Sequence, residues 1–264
     1  MIQTLSSAEV AERYAAFGLA LDAGDEILKR EAIELALASG DDPLAIRAFD
    51  EARALEDSDI LSTAFDLAFG STSAAWKSRA VDLAFASDDP ALKSKAIELV
   101  AASRNEQLIA RLPRISQWAE RVVEFSSEWE DSSKYVVGAP QGIQPGDPCE
   151  NGHYWYSSKQ DGSQEFIRVG FGKPVRFPEI FVHEGGTHEN AAGHVRKLIL
   201  WDPDGKGTEY PVSDSLKGCP GAAEFDFRQH PGAVEHVTVV IDLDHVRGHW
   251  EAVEAVRLVG TPAE

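Results

Sequence analysis

The densest run of side chains able to do chemistry is His183-Glu184-Gly185-Gly186-Thr187-His188-Glu189, with His194 close behind. Imidazole nitrogens and carboxylate oxygens suffice for a borderline metal. A hairpin bringing His183, His188 and His194 together with Glu184 or Glu189 would therefore hold Zn²⁺ and allow metal-dependent catalysis. The run is not a zincin motif, because its first two histidines are five apart instead of four. The paired glycines between them also work against a helix that would aim both at one ion. The plainer alternative is a polar loop at the rim of a domain, its histidines unrelated. Tyr154, Trp155 and Tyr156 alternate as on a strand, so at least one ring faces outward, where a sugar could stack; Trp155 suits a core.

Other chemistry is thinly represented. Cys149 and Cys219 lie in Gly/Pro-rich loops and could pair or stand as independent thiols; two are too few for a disulfide scaffold or a cysteine zinc site. His230, His236, His245 and His249 read as surface or satisfied residues near strands and turns. No nucleophile elbow, phosphate loop or dinucleotide fingerprint occurs, and the 44 acids single out no carboxylate pair for glycoside hydrolysis.

The elements that must position these residues follow from composition. All eight histidines fall after residue 150, where glycine, proline and aromatics also rise, while alanine and leucine dominate before it. Such a shift marks two domains of different secondary structure. The net charge of −19 divides into −9 up to residue 125 and −10 beyond it. That charge would repel a phosphate backbone or an anionic membrane, so no nucleic-acid partner is expected. The absence of a long apolar run and of a signal-like start predicts no membrane insertion and, by default, a cytoplasmic chain.

Up to residue 125 the sequence repeats every sixteen residues. Ala16, Ala32, Ala48, Ala64, Ala80 and Ala96 each open a similar octet. Leu28, Leu44, Ile60, Trp76, Leu92 and Leu108 follow twelve positions after them. Within a unit the apolar spacing is one face of a helix. Asp25, Asp41, Asp57, Ser73, Asp89 and Asn105 stand where each new helix needs an oxygen for its orphan N–H groups. Short helices with two- or three-residue connections run antiparallel and bury their stripes by stacking, which predicts a HEAT-like α-solenoid. An acid recurs at Glu34, Asp50, Asp66, Asp82 and Glu98. It reads as a stripe for a basic partner or as helix-surface i,i+3 pairs such as Arg47–Asp50, Arg79–Asp82 and Lys95–Glu98. Helix is expected to continue, kinked or broken near Pro113, to about Ser127.

From Tyr154 the period becomes two: Ile167, Val169 and Phe171 alternate with their neighbours, as do Val237, Val239, Ile241 and Leu243. About eight short strands, separated by turns such as Gly172-Lys173-Pro174 and Asp202-Pro203-Asp204-Gly205, predict an antiparallel β-sandwich or jelly roll. The expected chain is thus multidomain α and β: an α-solenoid over 1–125 and a β-sandwich over 126–264.

The successive segments SSEWEDSSKYVVGAP (126–140), YWYSSKQDGSQEFIRVGFGKPVRFPEIFVHE (154–184), VRKLILWD (195–202) and VIDLDHVRGHWEAVEAVRLVG (240–260) resemble the galactose-binding-like jelly-roll domains of the discoidin type. Among these, the module of pappalysin-type and bacterial surface proteins is the most similar. Gln141 stands where that pattern has an acid, Gly185 to Glu189 is an insert, and Glu254 keeps a carboxylate of the final strand. The resemblance implies a non-catalytic module that binds a glycan or protein through loops at one end of the sandwich. It also implies an extracellular setting and a structural calcium ion, for which Glu254 with the 141–150 loop would supply oxygens. The candidate ligand-binding residues are accordingly His183, Glu184, His188, Glu189, Tyr154 and Tyr156; the candidate metal residues are His183, His188, His194 and Glu254. Two other functions fit the same sequence: a metal-dependent enzyme at His183, His188 and His194, and an acidic adaptor or neutralising partner of a basic protein.

Overall fold

The computed structural model describes residues 7–55, 57–140, 154–158, 164–186, 193–214, 221–242 and 251–263. It forms two compact units, Met1–Leu112 and Pro113–Glu264. Among the described residues no helix is long and apolar enough to cross a membrane.

The first unit is helical: α1 (Ser7–Asp22), α2 (Glu26–Leu37), α3 (Asp42–Ala54), α4 (Ser58–Gly70), α5 (Ala74–Ala86), α6 (Pro90–Ser103) and α7 (Glu106–Ile109). Each helix from α2 onward opens on one of the expected caps. Side-chain oxygens of Asp25, Asp41, Asp57, Ser73, Asp89 and Asn105 accept first-turn backbone N–H groups, which would otherwise be unsatisfied. Ala48, Ala64, Ala80 and Ala96 are fully buried, since a larger side chain there would hold the helices apart.

Glu34 pairs within its own helix with Arg30 at 3.2 Å, but the next three acids differ from the spacing-based expectation. Arg79 pairs with Asp50 at 2.7 Å, Lys95 with Asp66 at 3.0 Å, and Arg111 with Asp82. In each pair the base lies 29 residues after the acid, on the second helix along: α5 to α3, α6 to α4, and the turn after α7 to α5. Helices two apart in sequence touch, so these three bases reach across to the neighbouring layer instead of along their own helices. Arg47, whose position 29 residues earlier is Gly18, lies over the Phe17 ring at 5.5 Å.

The second unit contains β1 (Ile115–Trp118), β2 (Arg121–Phe125), β3 (Trp155–Tyr156), β4 (Gln164–Gly186), β5 (Val195–Trp201), β6 (Gly207–Pro211), β7 (Gly221–Asp226), β8 (Val234–Asp242) and β9 (Glu251–Pro262). β1 and β2 replace the helix expected there: Pro113 ends the helical run, β1 pairs with β9, and β2 pairs with β4. The strand order is β1-β9-β4-β8-β5-β6, with β2 and β7 also on β4 and β3 on β9. Every pairing is antiparallel.

β4 organises the unit. Residues 164–170 pair with β8, whereas residues 179–186 pair with β9 and β7. Between them Gly172-Lys173-Pro174, expected as a turn, stays within the strand. Register shifts there, with Phe177 at φ +53°, bend the strand so that it carries the sheet from one layer into the other. Ile167 and Val169 from its first half and Ile180 and Val182 from its second close on one core with Trp155, Leu198, Val239 and Val256. The two packed layers are those of a β-sandwich.

Candidate functional site

The bend in β4 brings its two ends to the same end of the sandwich. Gln164 pairs with Asp242, where β8 finishes, and Gly186 pairs with Glu251, where β9 begins. β3 joins there, with Tyr156 opposite Ala252. β5 starts close by, since the Asp242 N–H donates to the His194 carbonyl at 3.1 Å. The candidate residues that the structure describes therefore cluster where these strands end.

Glu184 is the anchor. It is buried, and its Oε2 accepts the N–H groups of Gly193 at 2.9 Å and His194 at 3.0 Å. Burial, and after it hydrogen bonding to Asp214, pushes its pKa up to about 9. The two backbone donors pull the other way and lose. A neutral carboxyl at pH 7 thus ties the end of β4 to the entry of β5 and faces a second acid on the segment after β6.

His183 is placed differently. Successive residues of a strand point to opposite faces, so His183 leaves Glu184 behind and lies beside Trp118, their ring centroids 5.2 Å apart. Arg257 stacks over Phe181 at 4.1 Å and over Trp118 at 5.5 Å. Burial, reinforced by the Arg257 charge, lowers the His183 pKa to about 4. The imidazole is therefore neutral at pH 7, and its Nε2 is buried with no hydrogen-bond partner among the described residues. The outer layer of β1, β4 and β9 carries this cation–aromatic group, a feature that sequence spacing did not suggest because its members come from three separate segments.

His194 and Glu254 are both buried. His194 meets Glu184 through its backbone, and Glu254 is the extra residue of β9 opposite the His183–Glu184 step, where the register shifts. His188 and Glu189 lie outside the described residues, as do Cys149, Cys219, His245, His249 and the 141–150 loop. Among the described residues no three metal-capable side chains gather. His230 stands apart, sharing its Nδ1 with the Tyr210 hydroxyl at 2.8 Å, and His236 is 2.8 Å from Arg121.

The aromatics divide as well. Trp155 is fully buried and donates from Nε1 to the Ser127 carbonyl at 3.0 Å. Tyr154 is buried against Gly185: a Cβ on that glycine would fall 1.9 Å from Tyr154 Cε1. Tyr156 is half-buried and meets Tyr154 edge-on at 5.7 Å. Sequence reading also passed over Glu165, buried at the start of β4 and accepting from the hydroxyls of Ser126 and Ser127. The only available sign was an acid at an inward-facing strand position.

No family model matches the chain, and no curated protein matches it. Solved structures similar to it include allantoicase from Saccharomyces cerevisiae, at 15% identity and TM-score 0.37, covering 53% of this chain and 39% of that one. The chain thus spans well under half the length of allantoicase. Another is the family 32 carbohydrate-binding module of NanJ from Clostridium perfringens, solved with galactose, at 11% identity and TM-score 0.38, covering 55% of this chain and 99% of that one. A third is the fucose-binding module SpX-3 of Streptococcus pneumoniae, at 12% identity and TM-score 0.36, covering 56% and 93%.

Proposed function

We propose that this chain is a non-catalytic binding protein that takes a glycan at the loop end of its sandwich, with a HEAT-like α-solenoid of sixteen-residue units as scaffold. The observation that carries the reading is the convergence at one end: both termini of β4, the start of β9, β3 with Tyr156, and the entry to β5 tied down by Glu184. A rigid rim of strand ends is the usual platform for recognition loops. In this reading Tyr156 offers a ring face for a sugar, and His188 and Glu189 on the inserted loop supply polar contacts. His183 packs beside Trp118 next to the rim, while buried Tyr154 and Glu184 position the loop. The sixteen-residue solenoid is supported by the regular caps and the repeated cross-layer ion pairs.

A glycan array probed with the whole chain tests this. Binding that is weakened by Tyr156→Ala is expected. Silence on the array together with stoichiometric zinc in protein purified without a histidine tag would sink it in favour of a metal site at His183, His188, His194 and Glu254. A calcium requirement for binding would assign Glu254 and the 141–150 loop a structural role.

A further inference from the structure

The stripe of α2 is left open where the later helices are covered. Leu28 occupies the place that Leu44, Ile60, Trp76, Leu92 and Leu108 take in the following units. Those five are 2–6% exposed, but Leu28 is 42% exposed. Leu35 is 74% exposed, against 37% for Leu67 in α4 and 5% for Leu83 in α5 at the equivalent places. With Phe17 of α1, these leucines line a groove of about 500 Å³ that also carries Arg13 and Glu31. Among the described residues neither Arg13 nor Glu31 forms an ion pair. Stacked helical units end on polar faces when nothing is to cover them, and this face is apolar.

The layer-to-layer ion pairs say what would cover it. Further along, a base placed one residue before the repeated alanine reaches an acid on the helix two places earlier: Arg79 to Asp50, Lys95 to Asp66. On α2 that position holds Glu31, so the covering helix must offer a base. A second copy stacked end to end does not, because the acid at the far end of the row is the exposed Glu98, and Glu98 against Glu31 is repulsive. We propose that the α1–α2 groove docks an amphipathic helix of a partner protein, with an apolar stripe on Leu28 and Leu35 and a Lys or Arg opposite Glu31.

The probe is a peptide of the chain's own Ser58–Gly70 sequence carrying Asp66→Lys, held helical by a lactam bridge on its solvent face. Fluorescence anisotropy with the full chain should show it binding about ten-fold tighter than the unmodified peptide. Glu31→Lys should invert that preference, and Leu35→Asp, at an exposed position that leaves the fold intact, should abolish binding. Equal binding of the two peptides, no binding of either, or indifference to Leu35→Asp would overturn the proposal. A dimer in sedimentation that Leu35→Asp dissociates would overturn it too, assigning the groove to a second copy.

Discussion

Oε2 of Glu184 accepts the backbone N–H of His194 at 3.0 Å across the opening between β4 and β5, and the carboxyl that does so is protonated at neutral pH. Its folded pKa, about 9, lies above the ordinary 4.5, so the folded state binds this proton more tightly than the unfolded one. The stabilisation is complete below about pH 4.5 and is lost as pH rises towards 9, by up to about 1.4 kcal/mol per pH unit. Urea unfolding at a series of pH values should show this decline in the native chain, and Glu184→Gln should flatten it. An unchanged slope in the variant would refute the assignment.

His183 bears on the acid side. Its pKa near 4 lies below the ordinary 6.5 because of burial and, secondarily, Arg257. The unfolded chain therefore takes up this proton first, and stability contributed by the neutral ring is lost as pH falls from about 6.5 to 4. NMR titration of the imidazole should report the depressed value, and Arg257→Met should raise it without restoring 6.5, since burial remains.

Gly185 admits the Tyr154 ring where a methyl would collide. Gly185→Ala should destabilise the sandwich by about 1–3 kcal/mol, the range for overpacking. Combining it with Tyr154→Ala should cost less than the two single effects added together, as neighbouring sites do. Additive thermal and urea data for the double variant would separate the two residues.

The helical unit should depend more on its caps than on its ion pairs. Asp41→Ala removes an oxygen that accepts from the Leu44 N–H at 3.1 Å and should cost about 1 kcal/mol. The Asp50–Arg79 pair has both side chains about two-fifths exposed, so a double-mutant cycle should return less than about 1 kcal/mol.

Truncation tests the border between the units. A fragment starting at Pro113 retains β1 on the edge of β9 and β2 on β4, and should fold cooperatively by circular dichroism. A fragment starting at residue 126 loses both strands and the buried Ala119, which exposes a sheet edge. It should melt lower or aggregate.

By itself the sequence determined what is local and periodic. A sixteen-residue alanine repeat with an oxygen nine positions on suffices to place six helix starts, because a cap bonds only the turn that follows it. Alternation likewise marked the inner residues of β4 and β8, and a Pro-Asp-Gly turn marked the β5–β6 hairpin. The tertiary structure decided what depends on partners distant in the chain. Ile115–Trp118 and Arg121–Phe125 are too short to declare a period, and they become strands only because β9 and β4 offer edges. Arg79 chose Asp50 over Asp82 because stacking set another helix closer than the next turn of its own. Adjacent His183 and Glu184 look like one ligand cluster in sequence, yet the pleat sends them to opposite faces. The protonated state of Glu184 could come only from the burial and the Asp214 carboxyl that folding brought to it.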